Sequence, residues 1–212
     1  MICALALALA PEALAGNLWL VDEDPESGFA VYRSGVPDED DLRRFCELGI
    51  AEIAVLSGDG DEHEGRYRPA CPTLRVVYDH PQDVDCPLTA EFLAAFDRWV
   101  AAARAAGRKI AFRCRWGSHR TGRLAAYYQM KHRGRSLDEA LALMRERGSF
   151  MWWYWGRLEP QVVALGNYID GRPCELRGRD RKFCVADGGA GSKRCAEAQR
   201  DVEISRAPPP VE

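Results

Sequence analysis

The sequence predicts an α/β protein, a three-layer sandwich in which helices cover both faces of a mostly parallel central sheet. Short apolar runs typical of buried strands alternate with longer stretches that begin at a helix cap and end at a glycine. Strands that alternate with helices of this length pair in parallel, because each connection crosses over the sheet. The 212 residues and the hydrophobic content of 47% suffice for one domain with an ample core.

The elements of the first half follow from apolar runs and punctuating residues. Pro37 suits the first position of a helix with an acidic first turn, and Gly49 ends that helix. The segment from Gly58 to Arg68 is polar, and we expect a solvated loop there and not a metal site. The predicted elements are paired strands at 18–21 and 30–33, a helix from Pro37 to Leu48, and buried strands at 53–56 and 74–78.

The second half supplies mainly helices, each marked by its boundaries. Thr89 and Ser136 are cap residues that precede amphipathic stretches, while Gly107 and Gly134 end helices. The predicted elements are helices at 90–106, from the central loop to Arg133, at 137–144 and at 158–169. A short strand at 110–112 precedes the central loop. The carboxyl ends of the strands should form the binding crevice, with Asp79 and Cys114 both placed there.

The central loop, Cys114 to Gly122, carries the chemistry. A buried strand that leads into a glycine-containing loop and then a helix directs loop N–H groups and the positive helix end at one point, which makes an anion site. A thiol at the start of such a loop loses its proton readily, because the same N–H groups stabilise a thiolate. Arg120, six residues later, carries a planar fork that can hold two phosphate oxygens.

Cys114, five intervening residues, Arg120 and Thr121 resemble the signature of the cysteine-dependent protein tyrosine phosphatase superfamily. The likeness to small dual-specificity-like bacterial phosphatases extends over about residues 30–165. It includes Tyr32 to Gly35, the run 41–50 and Asp79-His80-Pro81, which is similar to that family's acid loop. The resemblance implies a protein tyrosine phosphatase-like sandwich and a phosphatase domain over 16–170.

The resemblance also implies hydrolysis of phosphate monoesters through a phospho-cysteine intermediate, without a metal or other cofactor. Cys114 would attack phosphorus while Arg120 and the loop N–H groups hold the oxygens. Asp79 is the predicted general acid, with Asp83 and Asp85 as alternatives and a solvated acidic turn as the non-catalytic interpretation. Thr121 would donate to the sulfur, or simply cap the helix. The predicted substrate-binding residues are Arg115, Trp116, Gly117, Ser118 and His119.

Two departures from the family pattern leave other functions open. Arg113 stands where the family has a histidine before the nucleophile, and His119 stands where a related subgroup often carries aspartate. Arg113 could favour the thiolate by its charge but not through the same hydrogen bonds. One alternative is therefore a phosphate-binding pseudophosphatase. A rhodanese-like sulfurtransferase is disfavoured, since its cysteine loop does not need the Arg-Thr-Gly ending.

The charges around the loop bear on the substrate, a phosphorylated small molecule or a phosphoprotein. Arg115 and His119 beside Arg120 favour ligands with several phosphates, such as inositol phosphates, over phosphotyrosine peptides. Arg113 lies just before the loop, and the alternative for its side chain is that it points into the sheet and not into the pocket. The alternative is that Arg115 and His119 are ordinary rim residues facing solvent. A net charge of -3 gives no sign of nucleic-acid binding, and no run reaches transmembrane length.

The N-terminus and the cysteines indicate export. Residues 1–15 are apolar and end in the small-residue pattern of a signal peptide, although a basic start is missing and an ordinary helix is the alternative. With Cys3 in the signal and Cys114 in catalysis, six cysteines remain, which indicates disulfides and a periplasmic or secreted protein. These six are Cys46, Cys71, Cys86, Cys174, Cys184 and Cys195.

Two further segments need an interpretation. Residues 171–212 form a polar tail that ends in Pro208 to Pro210 and is too poor in apolar residues to fold alone. We expect at least one of its three cysteines to pair with a cysteine of the domain. The aromatic stretch from Met151 to Gly156 is expected to pack on the core, with one or two rings lining the pocket as the alternative.

Overall fold

A computed structural model describes residues 17–147, 155–185 and 195. One five-stranded sheet has the order β1-β2-β5-β3-β4, in which β1 pairs antiparallel with β2 and all other pairs are parallel. The predicted mostly parallel sheet is confirmed. The strands are β1 (Trp19–Asp24), β2 (Phe29–Ser34), β3 (Ile50–Val55), β4 (Arg75–Asp79) and β5 (Lys109–Arg113). The helices are α1 (Glu39–Leu48), α2 (Ala90–Ala105), α3 (Arg120–Arg133), α4 (Leu137–Glu146) and α5 (Trp155–Ile169).

Apolar packing divides the molecule into two cores, one on each face of the sheet. Helix α1 packs on one face, where Leu42 and Phe45 join Ile53 of β3 in a buried cluster. Side chains from α2 to α5 cover the other face, where Phe96 and Leu124 pack with Phe112 of β5. Neighbouring strand residues alternate between the two clusters, as the pleat requires. The predicted three-layer sandwich is thus confirmed.

Helix α1 begins later than predicted. Asp38 caps it, accepting the Asp41 N–H at 2.9 Å, while the Asp41 carboxylate accepts the Asp38 N–H at 3.1 Å. This reciprocal capping box satisfies two backbone donors that would otherwise lack partners, so Pro37 lies before the cap and not inside the helix. Gly49 ends α1 with φ of 74°, as predicted.

The polar segment after β3 is more ordered and more buried than a solvated loop. Residues Asp61–Gly65 form one turn of π-helix, and Arg68–Ala70 form a short 3₁₀ turn. Glu64 is only 5% exposed. The prediction of a fully solvated loop is wrong at Glu64, because this carboxylate faces a buried arginine, described below, and needs to be buried with it.

Three disulfides are formed within the described part of the chain, Cys46–Cys71, Cys86–Cys195 and Cys174–Cys184. The prediction that a tail cysteine pairs with the domain is confirmed by Cys86–Cys195. The predicted signal segment 1–15, most of the aromatic stretch 151–156 and the proline-rich end lie outside the described residues. Among the helices that are described, none is long and apolar enough to cross a membrane.

Candidate active site

Four strand ends meet at the edge of the sheet where β5 enters the central loop. The residue pairs Ser34–Arg113, Val55–Arg113 and Val55–Asp79 are in register, so these residues form one row across the sheet. Cys114 is the next residue after that row, and α3 begins six residues later at Arg120. The predicted strand, loop and helix are therefore present, with the loop at the carboxyl edge.

The carbonyl groups of this loop are held from outside. The backbone N–H of Val36 donates to the Arg115 oxygen at 3.2 Å, and the Asn17 amide donates to the Trp116 oxygen at 2.9 Å. The Arg33 guanidinium donates to the Gly117 oxygen at 2.6 Å. The N–H of a peptide points opposite to its C=O, so the amides of Trp116 and Ser118 face the inside of the loop. Such a ring of amides is an anion-binding nest.

Gly117 is required for this loop shape. Its φ is 67°, in the left-handed region, and a Cβ atom here would lie 2.6 Å from the Gly35 nitrogen and 2.7 Å from the Asn17 amide. Any larger residue would collide with backbone and strain the loop. Of the predicted substrate-binding residues, Gly117 therefore shapes the loop, while Arg115 and Trp116 are exposed to solvent.

Cys114 is 1% exposed and is the free cysteine among those described. Burial alone would raise the pKa of its thiol. The hydroxyl and backbone N–H of Thr121, the charge of Arg120 and the N–H of Trp116 act in the other direction, and the net result is a lowered pKa. The groups that lower the pKa of this thiol thus belong to the loop and to the first turn of α3.

Arg120 is anchored at the rim of the same loop. Its Nη1 donates to the Leu56 carbonyl at 3.0 Å and to the Gln82 carbonyl at 3.3 Å. Its Nε is buried and makes no hydrogen bond within the described residues. The anchored guanidinium therefore keeps donor capacity beside the amides of the nest, which suits binding of a second or third phosphate oxygen.

Arg113 and His119 do not add charge to the site. The Arg113 side chain is fully buried on the α1 face, where its Nε donates to Glu64 at 2.7 Å and its Nη1 donates to Ser57 at 2.7 Å. Asp59 is a second ion-pair partner. His119 is 6% exposed, and burial, together with the charge of Arg120, lowers the pKa of its imidazole. For Arg113 the structure has the sheet-facing alternative, with its charge paired to Glu64 and Asp59. For His119 the expected positive charge is not favoured, because the pKa of its imidazole is lowered.

The three acids considered from the sequence occupy different places. Asp79 ends β4 and accepts the Gly60 N–H at 3.0 Å, and burial raises the pKa of its carboxyl. It lines a cavity with Leu42 and Leu74 of the α1 face, whereas Cys114 packs in the core of the opposite face. Asp83 follows Gln82, the residue whose carbonyl contacts Arg120.

Asp85 is engaged elsewhere. Its carboxylate forms ion pairs with Arg157 at 3.1 Å and Lys182 at 3.8 Å. The backbone N–H of Asp85 donates to the Asp83 carboxylate at 2.8 Å, which closes a tight turn between the two acids. The segment after β4 therefore brings Asp83 to the Arg120 side, while Asp79 stays at the end of its strand.

Sequence reasoning missed two buried arginines beside the loop. Arg33 and Arg123 are 2% and 1% exposed, and among the described residues neither has a carboxylate as a hydrogen-bond partner. Burial lowers the pKa of each guanidinium to about 10, so both stay charged at neutral pH. An arginine within the buried strand 29–34 and another in an apolar helix were the available signals, because such residues are rarely buried without a role.

A comparison with sequence models of known protein families finds no match. Among solved structures, TpbA of Pseudomonas aeruginosa is similar, with 23% identity and a TM-score of 0.51 over 74% of this chain and 92% of that one. A cysteine-to-serine variant of TpbA in complex with pTyr gives 22% identity and a TM-score of 0.52, covering 74% and 91%.

Tk-PTP, in a glycine-to-alanine mutant form, gives 22% identity and a TM-score of 0.52 over 66% of this chain and 89% of that chain. These likenesses establish the architecture of the chain. The loop that begins at Cys114, the mostly parallel sheet and the structural neighbours agree on one conclusion. The chain has the fold of the cysteine-dependent protein tyrosine phosphatases.

Proposed function

We propose that this protein is a cysteine-dependent phosphatase that hydrolyses phosphate monoesters through a phospho-cysteine intermediate. The observation that carries the proposal is the loop from Cys114 to Arg120. Its carbonyls are tied outward to Val36, Asn17 and Arg33, so that its amides surround a buried cysteine with a lowered pKa. That arrangement matches the trigonal face of a phosphoryl group next to a nucleophile.

The reaction takes two steps. The Cys114 thiolate attacks phosphorus and forms a P–S bond, while the ester P–O bond breaks and the leaving oxygen takes a proton from a carboxylic acid. Water then attacks the phospho-cysteine and gives a proton to that carboxylate, and the P–S bond breaks to release phosphate and the thiolate. The amides and Arg120 hold the three equatorial oxygens in both steps, and Thr121 stabilises the departing sulfur.

We place Asp83 first as the acid and keep Asp79 as the alternative. The raised pKa of Asp79 would suit a proton donor, but its carboxylate lines the α1-face cavity, away from the core that holds Cys114. Asp83 adjoins Gln82, whose carbonyl contacts Arg120. A donor on this segment approaches the leaving group from the Arg120 side.

Two observations bear on the substrate. Arg115 is exposed on the loop and remains a source of extra positive charge for ligands with several phosphates. Trp116 beside it is 58% exposed and offers an aromatic surface to an aryl phosphate. The structural neighbour captured with pTyr supports the use of aryl phosphates as first test substrates. We propose small phosphate esters, including inositol phosphates, as the substrate class to compare with phosphotyrosine peptides.

We also propose that the protein works in the periplasm or outside the cell. Three disulfides support this location, since such bonds persist in oxidising compartments. The apolar segment at residues 1–15 supports it as the export signal.

The decisive experiment is turnover of p-nitrophenyl phosphate in the presence of a metal chelator, with thiosulfate sulfurtransfer assayed in parallel. We expect phosphatase activity that Cys114→Ser abolishes. Phosphate binding without turnover would indicate the pseudophosphatase, and sulfurtransfer alone would indicate the rhodanese-like enzyme. Either result would refute the proposal.

A further inference from the structure

Arg123 lies one turn after Arg120 on α3, and its surroundings are unusual for an arginine. The side chain is 1% exposed, and within the described residues its hydrogen bonds go to neutral oxygens only. Burying a guanidinium without a bonded carboxylate is costly, so the groups that this side chain holds in place point to its role. The following inference rests on the proposed phosphatase function.

The partners of Arg123 lie on the segment that follows β4. Its Nη1 donates to the Cys86 carbonyl at 2.7 Å, and its Nη2 donates to the Gln82 side-chain oxygen at 3.4 Å. These two contacts bracket Asp83. The Gln82 backbone carbonyl in turn accepts from Arg120 at 3.3 Å, so two arginines of α3 hold the same segment.

Gln161 of α5 completes the arrangement. It is 1% exposed, its side-chain oxygen accepts from Arg123, and its amide donates to the Val84 carbonyl at 2.7 Å. Residues 82, 84 and 86 are therefore each held by a buried polar side chain. A flexible acidic turn would not need such anchoring, whereas an acid that must meet a leaving group within hydrogen-bond distance does.

We propose that Arg123 and Gln161 are a positioning pair that holds the segment from Gln82 to Cys86 against the Cys114 loop, so that Asp83 protonates the leaving group. The pair contacts neither phosphate nor sulfur in this role. It acts through the segment, and its loss is felt mainly in the step that needs the proton. Because the charge of Arg123 also favours the Cys114 thiolate, Gln161→Leu, which removes no charge, isolates the effect on the segment. Arg120 and Arg123 both lie on α3. This helix therefore positions both the guanidinium that binds phosphate and the segment that carries Asp83.

The test compares a poor leaving group with a good one. For Arg123→Met and Gln161→Leu we expect kcat on phenyl phosphate to fall about 10- to 100-fold, because a misplaced general acid loses much of its usual contribution. On p-nitrophenyl phosphate the fall should be less than about threefold, since that leaving group needs little protonation. The fall of kcat with rising pH on phenyl phosphate, which reports ionisation of the general acid, should also become shallower. Arg123→Lys, which can still reach a carbonyl, should recover part of the loss.

Tyr128→Phe is the matched control. Tyr128 is equally buried on α3, and its hydroxyl donates to Asp22 at 2.6 Å, away from the segment. This variant should lose stability without changing the ratio of the two substrates. Combining Arg123→Met with Asp83→Asn should add no further selective loss, because residues that act as a unit are not additive. Equal slowing of both substrates by both Arg123→Met and Gln161→Leu would overturn the proposal.

The positioning can also be measured without turnover. Amide hydrogen exchange in residues 82–86 should speed up in Arg123→Met and Gln161→Leu and not in Tyr128→Phe. An inactive wild type would refute the proposed phosphatase function. Unchanged exchange in both variants would refute the positioning pair, so the two failures are distinguishable.

Discussion

Arg113 and Glu64 form a buried ion pair on the α1 face of the sheet, with side chains 0% and 2% exposed. Arg113 immediately precedes Cys114 in the chain, yet its guanidinium lies on the other face of the sheet. Desolvation works against its charge, but Glu64 and Asp59 outweigh this effect and raise the pKa of Arg113. The charge of Arg113 is therefore neutralised by carboxylates of the segment 57–65, and these contacts join that segment to β5.

Arg113→Met should strongly destabilise the fold, because it leaves the Glu64 carboxylate buried without a partner. Breaking one side of such a pair costs about 3–5 kcal/mol of unfolding free energy. The double variant Arg113→Met, Glu64→Leu should recover most of that loss, since an apolar pair of similar volume carries no desolvation penalty. Urea denaturation of the wild type, both single variants and the double variant measures the coupling. A double variant no more stable than Arg113→Met would show that the two residues are not coupled.

The strand, loop and helix around Cys114 were predictable because their determinants are local. The apolar strand, Gly117, the cysteine and the helix that begins at Arg120 lie within a few residues of each other. The face of Arg113 was also predictable, because neighbouring strand residues point to opposite sides. The hydrogen-bond partners of Arg113 and Arg123 were not predictable, because they are distant in sequence. Glu64 lies 49 residues before Arg113, and Cys86 and Gln161 lie 37 and 38 residues from Arg123. Only tertiary packing selects such pairs.

The position of Asp79 likewise depends on tertiary packing and not on local sequence. Asp79 ends β4 and Cys114 follows β5, so the sequence predicts that both residues lie at the same edge of the sheet. Which core a strand-end side chain joins depends on pleat and bulge, and the pairing of β3 with β4 shifts register between Ile53 and Ala54. The sequence carries no visible sign of that shift.

Asp83→Asn should slow phenyl phosphate hydrolysis about 100-fold or more and p-nitrophenyl phosphate hydrolysis much less, as expected for loss of a general acid. Asp79→Asn should leave the ratio of the two substrates near that of the wild type, because its carboxylate lies on the α1 face. Steady-state kcat on both esters measures this. The reverse pattern, with the selective loss in Asp79→Asn, would establish Asp79 as the acid.

The Cys114 thiolate should be detectable by its alkylation rate. Burial would raise the pKa of the Cys114 thiol above its ordinary 9.0, but the neighbouring Thr121 hydroxyl and N–H, with the charge of Arg120, lower it here. At pH 6 to 7 the wild type should therefore react with iodoacetamide faster than an ordinary buried thiol. Thr121→Val removes one of the lowering contacts, so the pKa should rise and the rate at pH 6 should fall. Thr121→Ser keeps the hydroxyl and is the control. An alkylation profile that is the same in all three proteins would contradict this role for Thr121.

Loss of the Cys86–Cys195 disulfide should cost more stability than loss of Cys174–Cys184. The first closes 109 residues and the second closes 10. On the chain-entropy estimate these loops contribute about 5 and about 3 kcal/mol. Paired cysteine-to-alanine variants compared by thermal unfolding test the order.

Peptide mapping of exported protein without reductant should show all three bridges, and six free thiols would contradict both the pairing and the export proposal.

Substrate preference should depend on Arg115 more than on any other charge of the loop rim. Arg113 is neutralised by Glu64, and the lowered pKa of His119 keeps its imidazole uncharged at neutral pH. Arg115 remains as the exposed cation, and one unit charge beside a partly desolvated site changes binding of a multiply charged ligand by about 1 kcal/mol, or roughly fivefold.

Arg115→Ala should therefore lower kcat/KM on an inositol polyphosphate about fivefold more than on a phosphotyrosine peptide, and added salt should shrink that difference. Trp116→Ala is the matched variant from the same rim, and it should reduce activity on the aryl substrate more, because the exposed indole offers stacking and no charge. A strong preference for the peptide that Arg115→Ala leaves unchanged would show that the rim charge does not select the substrate.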